Sequence, residues 1–178
     1  MALSTKYRPY YTYEDYCLWK GRWELIEGMP YAMAPAPVPA HQRVSIRLGS
    51  KFEKALEKCN KCKVYAPLDW KLKEDTVVQP DLLIVCNKIE KKFLDFPPVL
   101  VVEILSPATA SKERGEKMEL YQSQQVKYYL IVDPQFKKVE IYQFIQAKYE
   151  LVADSPKIFS FELDDNCVAK VNLWDIWE

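Results

Sequence analysis

Val99-Leu-Val-Val-Glu-Ile-Leu105 is apolar at every position but one, and the exception is a carboxylate, Glu103. A short apolar run rich in branched residues predicts a strand buried on both faces at the centre of a sheet. Strand alternation puts Val101, Glu103 and Leu105 on one face of it. An ionised carboxyl without a partner there is costly to desolvate, or takes up a proton instead. A bound cation or a fixed cationic side chain removes that penalty. Glu103 is therefore either half of a structural salt bridge or a ligand.

Upstream, Gln79-Pro-Asp-Leu-Leu-Ile-Val-Cys86 belongs to a strand predicted over Val77–Cys86, with Pro80 near its start, where a missing donor is tolerated. Asp81 shares a face with Leu83 and Val85. Alone, a carboxylate at the head of a strand is a cap or a solvated end. Set beside Glu103 on a neighbouring strand, it completes an oxygen pair of the kind Mg2+ prefers, with positions open to water and phosphate oxygens; Mn2+ suits the same donors.

Downstream, Ser106-Pro107 leads to a helix predicted over Ser111–Gln125 and then a strand over Lys127–Val132, ending in Asp133-Pro134. A helix between two such strands serves as a right-handed crossover and makes them parallel. Spacings of three and four put Arg114, Lys117 and Tyr121 on one helix face, with the first turns near the carboxylates. Lys117 there offsets negative charge on a phosphate or orients the attacking water; a solvated helix lysine is the plain alternative.

Further out, Thr12–Lys20 predicts a short opening helix. Trp23–Gly28 and Met29–Ala34 predict a hairpin turning at Gly28. Pro35, Pro37 and Pro39 predict an extended connector. From His41 to Cys59 the apolar residues Val44, Leu48, Phe52, Ala55 and Leu56 recur at helical spacing, with Gly49 as a weak point. Val64–Leu72 predicts another strand, Lys138–Ile145 with Tyr149–Ala153 a closing hairpin, and the tail further short strands. The order points to an α/β (α+β) domain spanning residues 1–178, a central mixed sheet flanked by helices with an added N-terminal hairpin and C-terminal strands. Glu24, in Trp23-Glu-Leu-Ile26, is a candidate third acid or an exposed hairpin residue. His41, the only histidine, suits a water or phosphate contact or simply a helix cap.

Lys plus Arg and Asp plus Glu both number 25, so the formal net charge is zero. A protein holding DNA by nonspecific phosphate attraction is usually strongly basic, so any nucleic-acid contact must come from a local basic patch, a metal or a dimer's combined surface. The five cysteines have no regular spacing; Cys59-Asn-Lys-Cys62 lacks a second pair to complete a zinc site and reads as incidental. With no signal-like apolar segment at the N-terminus and no run long enough to span a bilayer, a reducing, cytoplasmic setting is expected. No glycine-rich phosphate loop occurs, and no organic cofactor is expected.

Several of these pieces together resemble the Uma-type restriction endonuclease family within the PD-(D/E)XK nuclease superfamily. They are Tyr13-Glu-Asp-Tyr16, Trp23-Glu-Leu-Ile-Glu-Gly28, His41, Gln79-Pro-Asp81, Val102-Glu-Ile-Leu-Ser-Pro107, Lys117 with Tyr121, and Tyr128 to Pro134. The resemblance implies a restriction-endonuclease-like core in which Asp81 and Glu103 hold a metal and Glu24 is a further acid. It departs from the superfamily's ExK pattern, because Leu105 stands two residues after Glu103; Lys117 from the following helix looks like the replacement. The expectation is a Mg2+-dependent endonuclease acting on DNA, with a homodimer addressing two strands. The alternative is a catalytically inactive nuclease-fold module that binds nucleic acid or a protein partner.

Overall fold

The computed structural model describes residues 8–33 and 37–177; the first seven residues, Ala34 and Pro35 of the predicted strand end and connector, and Glu178 lie outside them. The opening helix α1 is one turn, Tyr13–Tyr16, capped by a reciprocal Thr12–Asp15 pair, and stops well short of Lys20. Glu27 and Gly28, both at positive φ (49° and 76°), form the two-residue turn between β1 (Trp23–Ile26) and β2 (Met29–Ala32). Helix α2 begins at Pro39, which the sequence places in the connector. Proline's fixed φ suits the first helical position, where its missing N–H has no intrahelical partner anyway. His41, Val44, Leu48, Phe52 and Leu56 make the buried face of α2.

Two predicted strands are each split between sheets. Val64–Leu72 divides into β3 (Lys63–Tyr65) and β4 (Trp70–Lys73), with Pro67 between them. Val77–Cys86 divides into β5 (Thr76–Val78) and β6 (Leu82–Val85), broken at Gln79-Pro80-Asp81. Proline cannot donate to a ladder, so the chain changes partners where it occurs. β4 and β5 join the hairpin in a four-stranded sheet ordered β2-β1-β5-β4. β3 and β6 enter the main sheet beside β7 (Leu100–Ile104).

The predicted helix Ser111–Gln125 is also two pieces, α3 (Ala110–Arg114) and α4 (Glu116–Ser123), because Gly115 sits at φ −107°, ψ −97°, outside helical geometry. The crossover still delivers β8 (Tyr128–Asp133) parallel to β7. β9 (Lys138–Ile145) and β10 (Lys148–Asp154) complete the six-stranded order β10-β9-β8-β7-β6-β3, and β11 (Ile158–Asp164) pairs with β12 (Cys167–Asn172). A closing 3-10 turn covers Trp174–Trp177, with Trp174 exposed and Trp177 half-buried.

One face of the main sheet, through Leu82, Ile84, Leu100 and Val102, packs on α2 and the β11–β12 hairpin. The other, through Leu83, Val101, Tyr129 and Ile131, packs on Trp70, Leu94 and Tyr121. The cysteines are not incidental: Cys59 bonds Cys167 and Cys62 bonds Cys86, with Cα separations of 5.4 and 3.8 Å, while Cys17 is free. The partners lie 108 and 24 residues apart, a pairing that only the folded sheet reveals. Disulfides belong to oxidising settings, so the cysteine pattern no longer supports a reducing one. No helix among the described residues is long and apolar enough to cross a membrane.

Candidate active site

The antiparallel register between β6 and β7 sets Leu82 opposite Val102 and Leu83 opposite Val101, so Asp81, one step further, comes level with Glu103. The break before β6 frees the Asp81 side chain to reach across: its Oδ2 accepts a 2.8 Å bond from the Ile104 amide and lies 3.2 Å from His41 Nε2. His41, in the first turn of α2, is buried, with no hydrogen-bond partner for its Nδ1. Glu103 is 2 % exposed; its Oε1 accepts from Lys117 Nζ at 2.8 Å and Tyr121 OH at 2.6 Å. Each carboxylate is thus fixed through one oxygen. Among the described residues, Asp81 Oδ1 and Glu103 Oε2 have no such partner.

Lys117, 1 % exposed, is the hub. Its ammonium lies 2.8 Å from both Glu24 and Glu103 and 3.5 Å from Glu113. Glu24 is committed on both oxygens, to Lys112 at 2.5 Å, to Lys117, and to the Gln79 amide at 2.9 Å. Glu113 is buried and its Oε2 has no hydrogen-bond partner. Burial by itself would lower the Lys117 pKa, but the charges of Glu103, Glu24 and Glu113 outweigh it and hold the ammonium well above its usual range. Burial pushes Glu103 well up, reinforced by Glu113 and opposed by Lys117. Glu113 is raised to about 7, by burial first, with Lys117 opposing. Glu24 is lowered, because Lys117 and Lys112 overcome its burial. Burial and then Glu103 keep the Tyr121 phenol protonated. Four acids face two ammonium groups here, an arrangement short of positive charge.

The family model described as "Putative restriction endonuclease" (Uma2) matches residues 11–163, which include every residue of this cluster. The chain belongs to the Uma2 family. An uncharacterized protein (slr1290) of Synechocystis sp. is 31 % identical over 129 residues, covering 67 % of this chain and 66 % of the relative's own length. The crystal structure of "a putative nuclease belonging to DUF820" from Anabaena variabilis shares the fold at 16 % identity, with a TM-score of 0.74 over 93 % of this chain and 97 % of that one.

Against this Uma2 background, the structure brings Asp81, Glu103, Glu24, Lys117, Tyr121 and His41 into one cluster. Arg114 is not among them. The break at Gly115 turns it away from the Lys117–Tyr121 face, and its guanidinium pairs with Glu140 on β9. Sequence reading missed Glu113 and Lys112; the spacing of Glu113 four residues before Lys117 was the available signal for the first. Lys112 carried none, since its partner Glu24 is 88 residues away.

Glu103 has the fixed cationic partner that the sequence offered as one of two ways to bury it. The site's fit to a divalent ion therefore rests on the remaining oxygens. Among the described residues no three of His, Cys, Asp and Glu come together as a metal cage. The two free carboxylate oxygens are nonetheless hard donors at one end of the sheet, and Mg2+ binds commonly through one or two carboxylates plus water and substrate phosphate.

Proposed function

We propose that the protein is a metal-dependent endonuclease that hydrolyses phosphodiester bonds of DNA. One observation carries the reading. Two carboxylates, Asp81 at the break before β6 and Glu103 on β7, are each pinned through one oxygen and open at the other, beside a buried ammonium. Mg2+, or Mn2+ in its place, would rest on Asp81 and Glu103 with help from the backbone near Ile104, and would supply Lewis acidity toward a phosphate and a more acidic bound water. Within that reading the Ile104 amide and His41 aim Asp81, and Tyr121 aims Glu103. Lys117 keeps its charge because three carboxylates surround it, so it serves as a fixed positive charge near the phosphate rather than as a base. Glu24 anchors Lys117 instead of adding a ligand. A homodimer would bring two such sites to two strands.

The test is nicking of supercoiled plasmid with Mg2+, Mn2+ or EDTA, using the parent, Asp81→Ala and Glu103→Ala. Cation-dependent nicking by the parent and none by either variant is expected. Equal cutting by a variant removes that residue from the site. The Glu103–Lys117 pair and the lack of a three-donor cage favour a second reading, a nuclease-fold module that binds nucleic acid or a protein partner without cutting it. Duplex binding by a parent that never nicks supports that one.

A further inference from the structure

A cavity of about 220 Å3 opens beside the first turns of α2, lined among others by Arg43, Val44, Pro134, Lys137, Ile176 and Trp177. It lies at the end of the main sheet that carries the carboxylates. β8 runs parallel to β7, Leu105 N donates to Val132 O, and Pro134 follows two residues later. On α2, His41 touches Asp81 while Ala40, Arg43 and Val44 line the cavity. Ala40 directly precedes His41, so cavity and site lie on neighbouring faces of the first turns of α2.

Its lining carries two cations and no acid. Neighbouring Lys51 pairs with Asp175, Lys138 with Glu140 and Asp154, and Arg114 with Glu140, while Arg47 bonds the Asp175 carbonyl. Arg43 and Lys137 have no carboxylate within ion-pair distance among the described residues, and no acid lines the cavity. The turn carrying Lys137 is fixed, because Asp133 accepts from the Gln135 and Phe136 amides at 2.9 and 3.2 Å. An arginine and a lysine on the rim of one hollow suit a phosphate group, and the wall of Val44, Ile176 and the Trp177 indole suits the sugar or base beside it.

We propose that this cavity binds a backbone phosphate of the nucleic-acid substrate flanking the bond to be cut, with Arg43 and Lys137 as its ligands. The inference rests on the nuclease reading and names the local basic patch that a neutral protein needs in order to hold DNA.

The test measures fluorescence anisotropy of a labelled DNA duplex with the parent, Arg43→Ala/Lys137→Ala, and a Lys58→Ala control, in EDTA across a salt series. Losing the phosphate held by both cations should weaken binding by about tenfold at low salt and flatten the slope of log affinity against log salt by about one. The control should match the parent, and nicking at sub-saturating plasmid should fall with affinity. Unchanged Mn2+ titration heat in the double variant shows that the fold and the acidic site survive. Parent-like affinity and slope in the double variant overturn the inference and leave the nuclease reading standing if the parent still nicks. Inorganic phosphate that binds through Arg43 and Lys137 without altering duplex affinity assigns the cavity to a free anion and also overturns it. A parent that neither binds nor nicks DNA removes the nuclease reading, and this inference with it.

Discussion

Glu113→Gln should flatten the protein's stability against pH between about 4.5 and 7. In the unfolded chain this glutamate ionises near the ordinary 4.5; in the folded protein burial and the surrounding acids hold it to about 7. Between those values the native state binds more protons than the unfolded state, so stability falls as pH rises through the window. Complete separation of the two values corresponds to about 3 kcal/mol. Glu103 is displaced in the same direction, and its second-largest cause is Glu113, so glutamine lessens that contribution too. Glu24, lowered instead, gives stability that is present above its unfolded value and lost as pH falls through its folded one, below this window. Lys117, raised, gives stability that is complete below its unfolded value and lost only as pH rises through its folded one, far above. Urea denaturation in EDTA at half-unit pH steps measures the effect. The parent should lose about 3 kcal/mol more than Glu113→Gln from pH 4.5 to 7.5. Parallel profiles would show that Glu113 ionises alike in the folded and unfolded protein and would refute the reasoning.

Lys117→Met should destabilise the fold by about 3–5 kcal/mol at neutral pH, because Glu24 and Glu103 lose their shared cation in a buried site, and the loss should shrink toward pH 4 as Glu24, the acid held low, takes up a proton. Denaturant titration at both pH values checks it; equal losses at the two would refute it. Gly28→Ala puts a side chain at φ +76° and a Cβ 2.2 Å from the Tyr10 ring, so a loss of about 1–2 kcal/mol is expected, together with the Tyr10–Asp75 hydrogen bond, seen as a lower Tm. Thiol labelling of the unfolded, non-reduced protein should find one reactive cysteine, Cys17, and dithiothreitol should destabilise the fold by about 4 kcal/mol through the Cys59–Cys167 link alone, which joins residues 108 apart. Five reactive thiols before reduction would refute the pairing.

Strand and helix types were largely legible because each has its own apolar period: β7 as a continuous run, α2 at three-and-four spacing, the hairpin turning at Gly28. Boundaries were less so. Pro67, Pro80 and Gly115 each stand inside a run of consistent period, and period alone does not say whether the chain bends there or changes sheets. The consequences differ. At Pro80 the break helps Asp81 reach the Ile104 amide, whereas at Gly115 it removes Arg114 from the site. Asp81 and Glu103 stand out because a carboxylate in an apolar strand needs a reason to be there, and Lys117 because helical spacing sets it with Tyr121 in the segment that follows the Glu103 strand.

By itself the sequence determined which segments bury and in what form, and that Glu103 must find a positive partner or a proton, since both follow from local period and the cost of desolvating charge. Only the tertiary structure decided which partner. Glu24 reaches Lys117 and Lys112 from a separate sheet, Cys59 finds Cys167, and Arg43 and Lys137 come to line one cavity. These pairings join residues about 90 or more positions apart, and nothing in local spacing encodes the distance between elements that the folded sheet brings together.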